Sequence, residues 1–299
     1  MNTTEQRGGG LPYALAAYLC WGLFPLYFRL LHDVPPFELV GWRILFTLPI
    51  CLLLVVLLRQ GSQLRAAFTT RKTLLALAAS ACLIGTNWLI YVVAIATDHV
   101  FAASLGYYIN PLMNVVAGTL FLNEKLTRRQ WIAVALAAIG VAILALGALN
   151  TLWISMGLAV SFCGYGLVRK LTVVDALPGL TVETLVLALP ALALVGWQAA
   201  QPAGISLGHS TTIDVTLAAA GVVTGLPLML FAAAARRMSY STLGFVQFLA
   251  PTLIFLLGVF VFHEPLRPVQ LVSFVFIWAA IAVFCWDLLV SRKARASAS

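Results

Sequence analysis

Ten long apolar runs dominate the sequence and restrict the chain to one kind of fold. A helix that crosses the hydrocarbon core of a bilayer needs about 20 predominantly apolar residues. Runs of that length, separated mostly by short connections, cover approximately residues 11–30, 36–58, 74–96, 101–122, 129–148, 151–169, 179–199, 213–235, 241–262 and 267–290. We therefore predict an all-α integral membrane protein with ten transmembrane helices.

The composition excludes an ordinary soluble domain. Hydrophobic residues make up 62% of the chain and charged residues 9%, whereas soluble domains have about 45–50% apolar and about 25% charged residues. The net charge of +8 comes from residues that lie between the apolar runs, and it is not clustered among surface aromatics. This pattern favours a lipid bilayer as the partner and argues against nucleic acid.

The basic residues alternate between the connections and predict an orientation. With the N-terminus in the cytoplasm, 15 of the 18 Lys and Arg residues fall at cytoplasmic ends. They are Arg7, Arg59, Arg65, Arg71, Lys72, Lys125, Arg128, Arg129, Arg169, Lys170, Arg236, Arg237, Arg292, Lys293 and Arg295. Positively charged loops remain on the cytoplasmic side of a membrane. We therefore expect a multi-pass plasma-membrane protein with both termini in the cytoplasm.

The second half of the chain repeats the first at a shift of 140 positions. INPLMNVVAGTLFLNEKLTRRQ (109–130) aligns with LAPTLIFLLGVFVFHEPLRPVQ (249–270), so that Pro111 matches Pro251 and Glu124 matches Glu264. Each repeat contains five predicted helices, and because five is odd the second copy crosses the membrane in the opposite sense. The predicted units are two inverted five-helix repeats, 11–148 and 151–290.

Inverted repeats are typical of secondary transporters, which bind their substrate near the midplane at the interface between the repeats. The first alternative is a channel-like facilitator or a membrane-embedded sensor without active transport. A channel would place polar rings along a pore, and this sequence has isolated polar positions instead. The second alternative, an intramembrane enzyme, would need a mid-depth cluster of Asp, His, Ser or Cys, and the sequence has none. We therefore predict a transporter and no enzyme.

Two charged residues lie about one turn or more inside predicted helices, at equivalent positions of the two repeats. Arg43 and Glu183 are 140 residues apart, and an ionisable group inside a membrane is a candidate functional residue. Arg43 could bind a carboxylate or another anion through its planar fork, and Glu183 could contact an amine or carry a proton. The alternative is that both reach the headgroups or pair with Glu38 or Lys170.

Polar and aromatic residues supply the other candidates for a substrate cavity. Amides in hydrocarbon either line a cavity or join helices, and a proline at matching places in both repeats indicates either a broken helix at a binding site or a packing kink. Aromatic residues would suit flat or amphipathic solutes, although each could also pack or face lipid. The candidates are Asn87, Asn110, Asn114 and Gln247; Trp21, Trp88, Tyr91, Tyr107, Tyr108 and Tyr165; and Pro111 and Pro251 as hinges or kinks.

Nothing in the sequence indicates a cofactor or a metal. The five cysteines form no C-x-x-C motif, and the four histidines sit in or beside predicted external loops without a second ligand at helical spacing. A phosphate-binding G-x-x-x-x-G-K-[ST] motif is also absent from the sequence. We therefore expect no cofactor and no P-loop ATP hydrolysis.

Several segments resemble a known family. AAYLCWGLFPLYFRLL, SLGYYINPLMNVVAG, FLNEKLTRRQWIAVALAAIGV, FCGYGLVRK and STLGFVQFLAPTLIFLLGV are similar to the RarD branch of the EamA-type transporters, in the drug/metabolite transporter superfamily. The resemblance implies two inverted EamA-type units in a bacterial inner membrane, with the fifth helix of each at the periphery. It also implies export or exchange of small metabolites. We predict a secondary transporter that works by alternating access on a small amphipathic organic solute, such as an amino acid or a related metabolite. Ion-coupled antiport and simple facilitation both remain open, as does the oligomeric state.

Overall fold

The apolar runs of the sequence form helices in the computed structural model, which describes residues 9–296. We number its α-helices in chain order, and the described residues contain no strand. The helices are α1 (Leu11–Gly22), α2 (Phe24–Phe28), α3 (Pro36–Leu57), α4 (Gly61–Thr69), α5 (Arg71–Ala96), α6 (Val100–Phe121), α7 (Arg128–Ala145), α8 (Leu152–Leu171), α9 (Ala176–Ala199), α10 (Thr211–Arg237), α11 (Tyr240–Gln247), α12 (Leu249–Phe260) and α13 (Pro268–Ala296).

Local sequence signals explain where several helices begin. Pro36 and Pro268 stand at first helical positions, where the missing N–H has no helical partner to lose. At the start of α7, Thr127 and Gln130 form a capping box in which each side chain accepts a hydrogen bond from the other residue's backbone. The predicted runs and the observed helices agree closely. The exception is α4, a short helix inside the connection that we predicted between residues 58 and 74.

The described residues contain nine helical segments that are long and apolar enough to cross a membrane. One of them, Arg128–Leu171, is 44 residues long, and a continuous helix of that length would extend about 66 Å, over twice the hydrocarbon thickness of about 30 Å. The segment is interrupted by a 3₁₀ helix at Leu146–Thr151, in which Ala148 leaves the helical conformation (φ −137°, ψ 26°). The prediction of an all-α, multi-pass membrane protein is therefore confirmed.

Contacts between the connections define two ends of the helix bundle. At the end where α1 begins, which we call the terminal face, Arg236 binds Asp175 and Glu124 binds the start of α11. At the other end, the opposite face, the carboxylate of Glu38 accepts hydrogen bonds from the backbone N–H and the hydroxyl of Ser206.

The predicted cytoplasmic arginines and lysines lie in connections or helix ends of the terminal face as far as the chain is described. Arg7 lies outside the described residues, and the side chains of Arg292, Lys293 and Arg295 are likewise not described.

Small residues allow the central helices to pack closely. A side chain at Gly244 of α11 would lie 2.6 Å from the carbonyl oxygen of Pro111 in α6, so these two helices cross in direct backbone contact. A side chain at Gly140 of α7 would lie 2.7 Å from the carbonyl oxygen of Ser273 in α13. The second crossing joins α7 and α13, which contribute no residue to the cavity described below.

The matching prolines have different effects. Pro111 lies inside α6, which runs from Val100 to Phe121 without interruption. Near Pro251 the helix is interrupted at Phe248, so that the segment is divided into α11 and α12. The expected interruption is therefore present in the second half of the chain and absent from α6.

The connections that follow α6 and α12 have the same backbone conformation. Asn123 and His263 both have a positive φ, 52° and 54°. The N–H of the next residue, Glu124 or Glu264, donates to the carbonyl oxygen of Gly118 or Gly258 at 3.0 and 2.9 Å. Residues 140 positions apart thus form the same turn, although one lies at the terminal face and the other at the opposite face.

Candidate functional site

A cavity of about 280 Å³ lies among the central helices. This volume is near the lower end of the range for small-molecule sites, about 300–1,000 Å³. Its wall is formed by α1, α2, α3, α5, α6, α8, α10, α11 and α12. The first membrane-spanning segment, Leu11–Leu31, contributes lining residues from Tyr18 to Phe28. These residues extend from the middle of the segment toward the end that is farther from the terminal face. The cavity therefore occupies the part of the bundle between its middle and the opposite face.

Aromatic residues make up 8 of the 17 residues that line the cavity. The rings of Trp21 and Phe162 pack edge to face with their centroids 5.6 Å apart, and those of Tyr91 and Tyr107 lie 6.0 Å apart. The aromatic lining residues are Tyr18, Trp21, Phe24, Phe28, Trp88, Tyr91, Tyr107 and Phe162. These rings present flat apolar surfaces, which suit a flat or amphipathic solute.

Arg43 places a positive charge in this aromatic wall. Its Nε donates a hydrogen bond to Oγ1 of Thr224 at 2.9 Å. The guanidinium carbon lies 5.2 Å from the ring centre of Phe28 and 5.4 Å from that of Trp88, close enough for cation–π attraction. None of the ion pairs among the described residues includes Arg43. Two rings and one hydroxyl therefore position the guanidinium without neutralising its charge.

A network of buried amides forms the inner end of the cavity. Gln247, which lines the cavity, donates through Nε2 to Oδ1 of Asn110 at 2.7 Å and accepts at Oε1 from Nδ2 of Asn114 at 2.6 Å. Nδ2 of Asn110 in turn donates to the carbonyl oxygen of Ala159 at 2.9 Å. The network therefore joins α6 to α8 and α11. These bonds hold the helices together, because separating them would leave buried amides without partners, which is costly.

A second amide both lines the cavity and joins helices. Nδ2 of Asn87 donates to the carbonyl oxygen of Leu158 at 2.8 Å and to Oγ of Ser161 at 3.0 Å. Asn87 thus connects α5 to α8 beside the wall that Arg43 completes. Asn87 therefore fulfils both of the roles expected for an amide in the membrane, because it lines the cavity and joins two helices.

Glu183 lies away from the cavity, in a buried cluster. Its carboxylate pairs with Nε of Arg169 at 3.5 Å and accepts hydrogen bonds from the hydroxyls of Ser80 and of Tyr165. Arg169 and Glu183 are 0% and 1% exposed. Gly179 leaves room for the guanidinium, since a side chain there would overlap it. The partner of Glu183 is therefore Arg169 and not Lys170, and the carboxylate of Glu38 binds Trp42 and Ser206 instead of Arg43.

The structure brings together about half of the residues that the sequence predicted for the cavity. Pro251 is one of the residues on the cavity wall. Asn110 and Asn114 lie behind the wall, where both are hydrogen-bonded to Gln247. Tyr108 packs on Phe274 of α13, and Tyr165 stacks on Phe231. The predicted residues on the wall are Trp21, Arg43, Asn87, Trp88, Tyr91, Tyr107 and Gln247, and those outside it are Tyr108, Asn110, Pro111, Asn114, Tyr165 and Glu183.

Several residues of the wall could not be predicted from the sequence. Tyr18, whose hydroxyl donates to Oε1 of Gln247 at 3.4 Å, and Phe162 carry no polar or periodic signal that sets them apart from other aromatic residues in the spans. Thr224 is recognisable only through its bond to Arg43. Among the described residues no group of three His, Cys, Asp or Glu side chains could hold a metal ion.

Comparisons with known proteins identify the family. Residues 8–146 match the sequence profile of the EamA-like transporter family. The chain is 41% identical to the RarD protein of Escherichia coli K12 over 98% of this chain and 99% of that protein. It is 44% identical to an uncharacterized transporter of Pseudomonas aeruginosa over 96% of both chains. It is 30% identical to the chloramphenicol-sensitive protein RarD of the same organism over 96% of this chain and 98% of that protein.

A solved crystal structure shares the fold, with a TM-score of 0.71 and 19% identity over 93% of this chain and 97% of the other. The family profile and these relatives identify a membrane transporter of the drug/metabolite type, and the multi-helix bundle agrees with that class. Within that class, the chain belongs to the RarD branch of the EamA-like transporter family, as the resemblance predicted.

Proposed function

We propose that the protein is a secondary transporter that crosses the membrane ten times, as two inverted five-helix repeats over residues 11–148 and 151–290. The 44-residue segment Arg128–Leu171 crosses twice and turns at its 3₁₀ helix, which brings the nine segments to ten spans. The identical turns at Glu124 and Glu264, on opposite faces, support the inversion. The family profile, which ends at residue 146, supports a boundary after the fifth span.

The terminal face is cytoplasmic in this proposal, and the membrane is the bacterial inner membrane. The concentration of Lys and Arg in the connections of the terminal face supports this orientation. The cavity would then lie on the external side of the midplane. The two repeats would rock around it to expose it to each side in turn.

The substrate class that the cavity fits best is a small organic anion with an apolar, flat part, such as an amino-acid-like carboxylate. One observation carries this proposal: Arg43 is the cation of the cavity wall, and no carboxylate of the described residues is paired with it. A permanent charge deep in a membrane costs about 2.5–3.5 kcal/mol on insertion scales. A bound carboxylate would offset this cost through the planar fork of the guanidinium, and the aromatic wall would hold the rest of the molecule.

The first test compares anions with neutral molecules of the same shape. Phenylacetate and phenylacetamide, or benzoate and benzamide, are added to the purified protein while its thermal unfolding is followed. A ligand that binds the native state raises the apparent stability in a concentration-dependent way. We expect the carboxylates to stabilise the wild type more than the amides do. Equal stabilisation by both would contradict the anion proposal.

The second test removes the cation. Arg43→Leu should insert and elute as a monodisperse species but lose the preference for carboxylates and most of the counterflow of the stabilising anion in liposomes. Arg43→Lys should recover only part, because a point charge does not reproduce a bidentate fork. Arg29→Leu is the matched control, since Arg29 is exposed and lies outside the cavity wall. Near wild-type counterflow in Arg43→Leu would eliminate the anchor role, and ohmic current instead of saturable counterflow would indicate a channel.

A further inference from the structure

Glu124 and Glu264 are presented by the same backbone turn, yet their carboxylates have different surroundings. Oε1 of Glu124 accepts a hydrogen bond from the N–H of Tyr240 at 2.6 Å, and Oε2 accepts one from the N–H of Ser241 at 2.8 Å. These are N–H groups of the first turn of α11, which have no partner within the helix. Glu124 therefore caps α11, and its charge is favourable at the positive end of the helix dipole.

Gly118 makes this contact possible. A side chain at Gly118 would lie 2.6 Å from Oγ of Ser241 and 2.7 Å from Oε2 of Glu124. The end of α6 and the start of α11 therefore meet where only a glycine fits. This contact joins the end of α6 to the start of α11 at the terminal face.

The equivalent residues at the opposite face are separated. Glu264 is exposed, and within the described residues its carboxylate is in no ion pair. The helix whose start corresponds to that of α11 is α6, and no side chain caps it at His99. A side chain at Gly258 would meet only the carboxylate of Glu264, at 3.2 Å. Nothing in this conformation requires a glycine there.

The two helices that correspond to each other, α6 and the segment formed by α11 and α12, also differ in continuity. The helix that Glu124 caps is interrupted at Phe248, and α6, which is uncapped, is continuous. The cavity lies toward the opposite face and includes Pro251 and Ile254 of α12. The capped helix start is thus at the terminal face, and the uncapped helix start is at the opposite face, toward which the cavity extends.

We propose that Glu124 and Glu264 are mutually exclusive helix caps that stabilise the two conformations of the transport cycle. In the conformation described, Glu124 caps α11 and closes the terminal face. In the other, Glu264 binds the first-turn N–H groups of α6 and closes the opposite face against Gly258, while Glu124 releases α11. This inference rests on the proposed alternating access and names the contacts that would control it.

The test measures two distances in a cysteine-free protein in lipid nanodiscs, by electron–electron resonance between spin labels. One pair, Phe101→Cys with His263→Cys, spans the opposite face, and the other, Lys125→Cys with Thr242→Cys, spans the terminal face. We expect Glu124→Gln to lengthen the terminal distance and to raise the fraction with a short opposite-face distance. Because Glu124→Gln weakens two hydrogen bonds to a charged carboxylate, we expect the ratio of the two conformations to change about tenfold.

The decisive variant combines Glu124→Gln with Glu264→Gln. The second substitution should remove the short opposite-face distance that Glu124→Gln alone produces. Asp33→Asn is the matched control, because Asp33 is an exposed acid of the same face, and it should leave the distance unchanged. If Glu124→Gln does not fold, Glu124→Asp, which withdraws the carboxylate by one methylene, replaces it. Unchanged distances in the folded single variant, or a short distance that persists in the double variant, would overturn the proposal.

The distances need no substrate, so they separate this proposal from the proposed function. Counterflow that persists while the distances do not respond would eliminate the caps and leave the transporter standing. Distances that respond as expected, in a protein that exchanges neither carboxylates nor their neutral amides, would count against the transport proposal instead.

Discussion

Arg169 and Glu183 form a buried ion pair, with Nε of the arginine 3.5 Å from Oε1 of the carboxylate. Hydroxyls of Ser80 and Tyr165 donate to the same carboxylate, and the carbonyl oxygen of Ala176 accepts from the guanidinium at 3.2 Å. The position equivalent to Glu183 in the first half of the chain is Arg43, which is in no ion pair with any residue that the structure describes. Of two equivalent charged positions, one is neutralised within the packed interior and the other is available to a ligand.

The pair at Arg169 predicts a stability effect. Glu183→Gln retains the shape of the side chain but leaves the guanidinium buried without a counter-charge. Removing one partner of a buried pair costs about 3–5 kcal/mol, and we expect a loss of this size in unfolding in mixed micelles. Replacing both residues with apolar side chains should recover much of it. Asp175→Asn is the control, because the pair of Asp175 with Arg236 is partly exposed and such pairs contribute about 0–1 kcal/mol. Equal losses in both single variants would refute the assignment.

Hydrophobic length is a local property, and for this reason the spans could be predicted from the sequence. The partners of polar groups depend on which helices meet, which local patterns do not encode. The sequence places Arg169 among the cytoplasmic charges because it ends an apolar run, but its guanidinium lies inside the bundle, where Gly179 leaves room for it and Glu183 pairs with it. The sequence therefore predicts Glu183 for the cavity, although Arg169 compensates its charge.

The amide network predicts a second effect. Gln247→Leu would remove the acceptor of Asn114 and the donor to Asn110. A buried polar group left without a partner costs about 1–3 kcal/mol, so we expect a loss of stability in this range and reduced counterflow. Gln201→Leu is the matched control, because the amide of Gln201 makes only a long bond, 3.4 Å, to the carbonyl oxygen of Trp197. Wild-type unfolding of Gln247→Leu would show that the network contributes nothing to stability.

Labelling of single cysteines tests the orientation. In a cysteine-free background, His99→Cys and His209→Cys should react with a membrane-impermeant thiol reagent in intact cells, because the opposite face is external in the proposed topology. Arg71→Cys and Arg237→Cys should react only after the membrane is permeabilised. Reaction of Arg71→Cys from outside would contradict the cytoplasmic position of the terminal face and, with it, the ten-span proposal.

The two glycines beside the glutamates give a matched pair of variants. In this conformation Gly118→Ala would place a methyl group 2.6 Å from Oγ of Ser241, and overpacking of this kind costs about 1–3 kcal/mol. The higher helix propensity of alanine, worth up to about 1 kcal/mol, offsets only part of that cost, so we expect a net loss of stability.

Gly258→Ala meets nothing but the end of the Glu264 side chain, at 3.2 Å, and should unfold at or above the wild-type temperature. If α6 must approach Gly258 during transport, this variant will nevertheless have slower counterflow, because the added methyl group opposes only the conformation in which the opposite face is closed. Normal stability with reduced counterflow in Gly258→Ala is therefore the expected result. Wild-type counterflow would show that no helix needs to approach this glycine.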